Sequence, residues 1–296
     1  MLSDMARIAI IGGGSIGEAL LSGLLRAGRQ AKDLVAAERI LDRAKYLADT
    51  YSVLVTPSVT DAVDNATFVV VAVKPADVES VLAELAEAAA KADDDSAEQV
   101  FVTVAAGITI TYFESRLPAG TPVVRAMPNA AALVGAGVTA LAKGRFVTPP
   151  HLEEVAALFD AVGGVLTVPE SQMDAVTALS GSGPAYFFLL VEALVDAGVA
   201  AGLSRPVAAD LTVQTMAGSA AMLLERMNQD RPSAEGASLG MQVDATAAQL
   251  RATVTSPGGT TAAALRELER GGLRAAVDAA VQAAKSRSEQ LRITSE

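Results

Sequence analysis

Two glycine-rich stretches, one near each end of the chain, hold the residues best suited to chemistry. The first is Gly12-x-Gly14-x-x-Gly17, which directly follows the apolar run Ile8–Ile11 and opens a helical pattern. A strand, a tight glycine turn and a helix in that order suit the pyrophosphate of a dinucleotide. The first glycine takes a backbone conformation other residues resist, the second admits the phosphates, and the third lets helix and strand pack closely. Ser15 and Ile16 complete the turn, and the helix start offers unpaired N–H groups and a partial positive charge. The spacing names a cofactor class and no reaction.

The second stretch is Ser256-Pro257-Gly258-Gly259-Thr260-Thr261, immediately before the helical ALRELERGG. Ser, Thr and Pro suit a capped helix start, and that alone could explain them. Two successive glycines are more than a cap needs. They bare backbone N–H groups against which a small anion such as a carboxylate can sit, with two threonine hydroxyls beside it. A third cluster, Ser180–Tyr186 (SGSGPAY), opens a long apolar helix and reads most simply as close helix packing through small residues.

Cofactor choice is written where a second strand ends, at Glu38-Arg39, about twenty residues past the glycine turn. An acid there holds the ribose diol of NAD, and an arginine receives the 2′-phosphate of NADP. Both are present; NADP is favoured, with NAD use possible. Lys74-Pro75 ends a buried strand at the edge where open α/β sheets bind ligands. The proline could merely stop the strand, and the lysine could equally serve an anionic ligand.

What is missing narrows the reaction. The chain has one histidine, His151, in an apparent loop where it is expected at the surface, and no cysteine. These counts argue against a metal site, a thiolate nucleophile or a histidine-centred triad. Reducing a ketone leaves an alkoxide that needs an acid beside it. The helix after Ser180–Tyr186 carries Phe187 and Val191 where a lysine and an asparagine would be sought. A protonated imine accepts hydride and leaves a neutral amine. Backbone N–H groups and one hydroxyl, with good positioning, would then suffice.

These residues need a scaffold, and 296 residues suffice for two domains. Strand-like and helix-like segments alternate up to Val168, which predicts a doubly wound, Rossmann-like parallel sheet over 1–168. Thr67–Val73 (TFVVVAV) reads as a strand covered on both faces. From Pro169 the pattern is helical throughout, giving a second domain over 169–296, with a polar and flexible loop expected at Asn228–Gly240. The run Tyr186–Leu203 is apolar, but Glu192 and Asp196 interrupt it, so a buried helix is expected rather than a membrane span. Apolar, Ala- and Gly-rich helices imply an intertwined homodimer that covers them. A net charge of −11 argues against nucleic acid or anionic membrane as a partner. No targeting signal is visible, which predicts a cytoplasmic protein.

Taken together, IGGGSIGEAL (Ile11–Leu20), VAVKP (Val71–Pro75), AAGI (Ala105–Ile108), RAMPN (Arg125–Asn129), SGSGPAY, DAGVAAGL (Asp196–Leu203) and SPGGTT closely resemble the pyrroline-5-carboxylate reductase family over essentially the whole length. The resemblance implies reduction of 1-pyrroline-5-carboxylate to L-proline, the last step of proline biosynthesis. It implies an N-terminal NAD(P)H domain and a helical dimerisation domain. On it, Gly12, Gly14, Ser15, Ile16 and Gly17 hold the pyrophosphate and Arg39 the 2′-phosphate. Ala72, Val73, Lys74 and Pro75, with Ala105 and Ala106, line the path to the nicotinamide. Ser256, Gly258, Gly259, Thr260 and Thr261 hold the substrate carboxylate, and the Thr261 hydroxyl bonds the ring nitrogen or a neighbouring substrate atom. Three features depart from the family: Ser15-Ile16 inside the turn, Val59 where an asparagine often meets the ribose, and a long stretch at 228–246. The rivals are a hydroxyacid dehydrogenase with the same cofactor domain, which needs a lysine or histidine acid, and a non-catalytic dinucleotide sensor, which needs no second anion pocket.

Overall fold

The computed structural model describes residues 6–91, 98–229 and 246–292. The first part runs β1 (Ile8–Ile11), α1 (Ser15–Arg26), β2 (Leu34–Ala37), α2 (Leu41–Tyr51), β3 (Leu54–Thr56), α3 (Val59–Val63), β4 (Phe68–Val71), α4 (Val78–Lys91), β5 (Val100–Thr103), α5 (Ile110–Glu114), β6 (Val123–Met127), β7 (Gly137–Lys143), α6 (Pro149–Asp160) and β8 (Gly163–Thr167). The strands form one sheet in the order β3-β2-β1-β4-β5-β6-β7-β8. Every residue of β1, β2, β4 and β5 is buried, as strands covered on both faces must be.

Alternation along these strands divides the core into two layers. Ile11, Val35, Val69 and Val71 face Val59, Val81, Leu82 and Phe113, which belong to α3, α4 and α5. Ile8, Ile10, Leu34 and Val70 face Leu20, Leu21, Leu24, Leu47, Leu158 and Phe159 from α1, α2 and α6. The sheet is therefore wound on both sides, with the loops after β1, β2, β4 and β5 gathered at its carboxyl edge.

The last two strands, β7 and β8, run opposite to the other six. β7 runs antiparallel to β6, with Arg125 opposite Ala142, while β8 is again parallel to β7. Only a short 3-10 turn, Ala130–Val134, separates β6 from β7. A parallel return would need a crossover of a dozen or more residues.

From Glu170 the chain is helical: α7 (Met173–Val176), a π-helical turn at Thr177–Gly181, α8 (Gly183–Ala200), α9 (Arg205–Gln229), α10 (Thr246–Thr253), α11 (Thr260–Arg270) and α12 (Leu273–Gln290). The loop expected at Asn228–Gly240 lies outside the described residues, apart from Asn228 and Gln229 at the end of α9. Close packing divides the chain into two units, Met1–Pro184 with Val281–Glu296, and Ala185–Ala280.

In the helical unit, the DAGVAAGL motif is the corner between α8 and α9. Asp196 pairs with Arg205 at 2.7 Å, and a side chain at Gly198 would press on Ala208 at 3.1 Å. A single copy does not cover α8, the helix expected to be buried. Phe187, Phe188, Leu189 and Leu194 on α8, and Leu211 and Leu224 on α9, are all exposed. The stretches Glu170–Ala200 and Arg205–Gln229 are long and apolar enough to cross a membrane by length and composition. The few helices of this unit cannot cover so much apolar surface from one copy.

The end of α12 belongs to the sheet unit, and a buried carboxylate fixes it there. Asp174 accepts from the Ser288 hydroxyl at 2.7 Å and pairs with Arg292. Burial alone would raise its pKa, but Ser288 and Arg292 outweigh it and hold the carboxyl below the ordinary 3.8. A carboxylate whose folded pKa is depressed stabilises fully above its unfolded pKa, and that contribution is lost as pH falls through the lower folded value. Asp174→Asn is expected to cost about 1.5–3 kcal/mol at pH 7, the worth of charge-assisted hydrogen bonds. The gap from wild type should close below pH 3.8. Urea melts at pH 7 and pH 3 measure both, and an equal gap at the two pH values would contradict this assignment.

Candidate functional site

The carboxyl edge of the sheet is built around the turn between β1 and α1. Gly12 has φ +105°, a left-handed conformation, and its N–H bonds the Ala37 carbonyl at 2.9 Å. A side chain there would lie 2.8 Å from the Ala72 carbonyl oxygen, so the turn is pressed against the loop after β4. At Gly17 a Cβ would lie 2.0 Å from the Gly12 carbonyl oxygen, which makes this the contact that lets helix meet strand. Gly14 is different: open space surrounds the place of its missing side chain. It is also the N-cap of α1 and has no side-chain cap. The first-turn N–H groups of α1 therefore face an approachable surface, and the cradle fits a pyrophosphate.

A charged support lies behind this turn. Arg43 of α2 donates from Nε to the Gly13 carbonyl at 2.6 Å and pairs with Glu18 of α1. Tyr51 donates its hydroxyl to the same carboxylate at 2.8 Å. Burial would raise the Glu18 pKa, but Arg43, Tyr51 and Tyr46 together hold it below the ordinary range. Burial and the Glu18 carboxylate push the Tyr51 phenol up to about 12. The sequence reading missed this network. Its one trace was Glu18 inside the apolar α1; Arg43 stands among other charged residues on α2 and gave no signal.

The two residues that write cofactor choice are both engaged. The Glu38 carboxylate accepts from the backbone N–H groups of Gly13, at 2.9 Å, and Ile40, at 2.8 Å. It thereby ties the glycine turn to the end of β2. Arg39 is exposed and forms an ion pair with Glu84 of α4. Across the edge, Lys74 is exposed and makes no ion pair with any described residue, in a chain of net charge −11. Pro75 starts a short 3-10 turn beside it. After β5, the Ala105 N–H bonds the fully buried Thr103 hydroxyl at 3.3 Å, fixing the Ala105–Ala106 loop. Gly12, Gly14, Gly17, Glu38, Arg39, Ala72, Lys74 and Ala105 thus share one edge of one unit.

Ser256, Gly258, Gly259, Thr260 and Thr261 lie in the helical unit. Gly258 has φ +71° and Gly259 is the extended N-cap of α11, again with no side-chain cap. The Gly259 N–H turns back to the Ser256 carbonyl at 3.0 Å, leaving Thr260 and Thr261 at the head of the helix. Two glycine-opened helices, α1 and α11, therefore begin without a capping side chain, as a helix start built for an external anion would.

His151, expected at the surface in a loop, is instead partly buried at a helix start. It closes a capping box with Thr148 at the start of α6, and its side chain is only 15% exposed. Its Nε2 lies 3.5 Å from Glu98, just before β5, which is the amino edge of the sheet and opposite the glycine turn. No group of three or more His, Cys, Asp or Glu able to hold a metal occurs among the described residues.

Comparison with known proteins agrees over the full length. A family model described as pyrroline-5-carboxylate reductase dimerisation matches residues 170–291, and one described as NADP oxidoreductase coenzyme F420-dependent matches residues 7–107. A pyrroline-5-carboxylate reductase of Mycobacterium tuberculosis is 83% identical over 296 residues, all of both chains. One from Corynebacterium melassecola is 44% identical over 97% of this chain and 99% of its own. Among solved structures, a pyrroline-5-carboxylate reductase from Coxiella burnetii aligns with TM-score 0.85 and 34% identity, covering 98% of this chain and 100% of that one. A Plasmodium falciparum pyrroline carboxylate reductase with NADP bound aligns with TM-score 0.79 and 27% identity, covering 98% and 99%. With its sheet edge, its two uncapped glycine-opened helices and these relatives, the chain belongs to the pyrroline-5-carboxylate reductase family.

Proposed function

We propose that this protein reduces 1-pyrroline-5-carboxylate to L-proline with NAD(P)H, the closing step of proline biosynthesis. The observation that carries this reading is the pair of uncapped helix starts in one chain, one at Gly14 and one at Gly259. The dinucleotide supplies the hydride, which goes to the imine carbon. Gly12, Gly14, Ser15, Ile16 and Gly17 hold its pyrophosphate, and Ala72–Pro75 with Ala105–Ala106 line the way to its nicotinamide. Backbone N–H groups at Ser256–Thr261 hold the substrate carboxylate, and the Thr261 hydroxyl bonds the ring nitrogen. The protonated imine becomes a neutral amine, so no histidine or lysine acid is required. The functional division is placed at Val168, with cofactor work in 1–168 and substrate and dimer work in 169–296.

The test is NAD(P)H oxidation with pyrroline-5-carboxylate against a panel of keto acids. Turnover of a keto acid without the cyclic imine would end the proposal in favour of a hydroxyacid dehydrogenase.

NADPH is the favoured cofactor, with Arg39 receiving the 2′-phosphate in place of Glu84. Arg39→Ala is expected to lower kcat/KM about tenfold with NADPH and hardly at all with NADH, the scale of one charge-assisted contact. Equal losses with both cofactors would remove Arg39 from this role.

The exposed apolar faces of α8 and α9 are read as the interface of an intertwined homodimer, and the protein is placed in the cytoplasm. Sedimentation at micromolar concentration should give a dimer or a multiple of it, from the soluble fraction of a lysate. A monomer, or recovery only with membranes, would refute this assembly.

A further inference from the structure

The Ser180 hydroxyl is shut off from solvent and has no hydrogen-bond partner among the described residues. An orphaned buried hydroxyl costs free energy, so its persistence calls for a reason. Ser180 lies in the π-helical turn Thr177–Gly181, closed by the Ser182 N–H on the Thr177 carbonyl at 2.9 Å. Such a turn inserts a residue into a helix, and turns of this kind recur at functional sites. The turn is held firmly: Ala178 is fully buried, and the Thr177 hydroxyl is satisfied by the Met173 carbonyl at 2.8 Å. Two hydroxyls of the same turn thus differ, one bonded to the backbone and the other left over.

The turn also has a defined place in the sheet unit. A side chain at Gly181 would lie 3.0 Å from the Met127 methyl, and Met127 ends β6. β6 is parallel to β5, and β5 to β4, so Met127 is at the carboxyl edge that carries the glycine turn. A dinucleotide whose pyrophosphate lies at β1, with its adenosine toward β2, extends its other end over β4, β5 and β6. The group at that end is a carboxamide, which both donates and accepts hydrogen bonds, as a serine hydroxyl does.

Resting on the function proposed above, we infer that the Ser180 hydroxyl is a binding group for the nicotinamide carboxamide. The orphan is then satisfied only when cofactor is bound. The SGSGPAY cluster gains a role beyond helix packing, because its small residues let the turn approach the sheet edge.

The experiment titrates full-length wild type, Ser180→Ala and Ser180→Cys with NADPH and with 2′-phospho-ADP-ribose, which lacks the nicotinamide. Thermal melts without ligand accompany each titration. Both variants should bind NADPH about tenfold more weakly, the scale of one hydrogen bond. Both should bind 2′-phospho-ADP-ribose as wild type does. Without ligand, Ser180→Ala should melt at or above the wild-type temperature, since it removes a group with nothing to bond. A lower melting temperature with unchanged NADPH affinity would show a structural hydroxyl and overturn the inference. Equal losses for both ligands would overturn it too. Wild type that binds NADPH but does not turn over pyrroline-5-carboxylate would refute the function and leave the Ser180 assignment intact.

Discussion

Gly17→Ala is expected to destabilise the sheet unit by about 3 kcal/mol, at the top of the overpacking range, and to abolish measurable NADPH binding. The added methyl would lie 2.0 Å from the Gly12 carbonyl oxygen and 3.2 Å from the Ile10 side chain. The carbonyl belongs to the backbone of the turn and has no rotamer to escape into. α1 would have to lift away from β1, taking its N–H groups away from the phosphates. Gly14→Ala, three residues past the end of β1 and in open space, is the informative control. It should fold with wild-type stability and still lose NADPH affinity, because the methyl occupies the approach to the helix end. Urea melts and NADPH fluorescence titrations separate the two effects. Wild-type stability in Gly17→Ala would mean that the helix–strand contact is looser than this geometry requires.

Thr261→Ala is expected to lower kcat about a hundredfold, within the range for misplacing a reacting group, while NADPH binding stays as in wild type. Thr261 is the second residue of α11, beside first-turn N–H groups that no side chain caps. The single histidine is held by Thr148 and Glu98 at the opposite edge of the sheet. Phe187, where a lysine acid would stand in the rival enzyme class, is an exposed apolar residue. Steady-state kinetics with saturating NADPH measure the loss, and unchanged kinetics would take Thr261 out of the reaction.

Much of the sheet unit was legible in the residues because each signal there is local. The run TFVVVAV contains β4, Gly12 and Gly17 do the separate jobs their spacing assigns, and Lys74 stands exposed where a strand ends. What stayed hidden depends on residues far apart in the chain. The direction of β7 follows from the length of a connection, and that length was masked by the helix-like AAALV, which forms only a 3-10 turn. Glu38 was readable as a ribose acid, but its bonds to Gly13 and Ile40 depend on the fold. His151 looked like a loop residue because Pro149-Pro150 precede it. Those prolines instead open α6, where a helix tolerates them. The apolar character of α8 was plain, whereas the exposure of that face in a single copy was not.

The pairing of Asp174 with Ser288 and Arg292 has a consequence for biosynthesis. The partners are 114 and 118 residues apart, with the whole helical unit between them. While the chain is still emerging, Asp174 has neither its hydroxyl nor its guanidinium, and burying it then would strand an uncompensated charge. Domains ordinarily fold from the amino end as they are made. Here the sheet can assemble early but cannot seal around Asp174 until Ser288 and Arg292 have been added. The first unit to be translated is therefore the last to be finished.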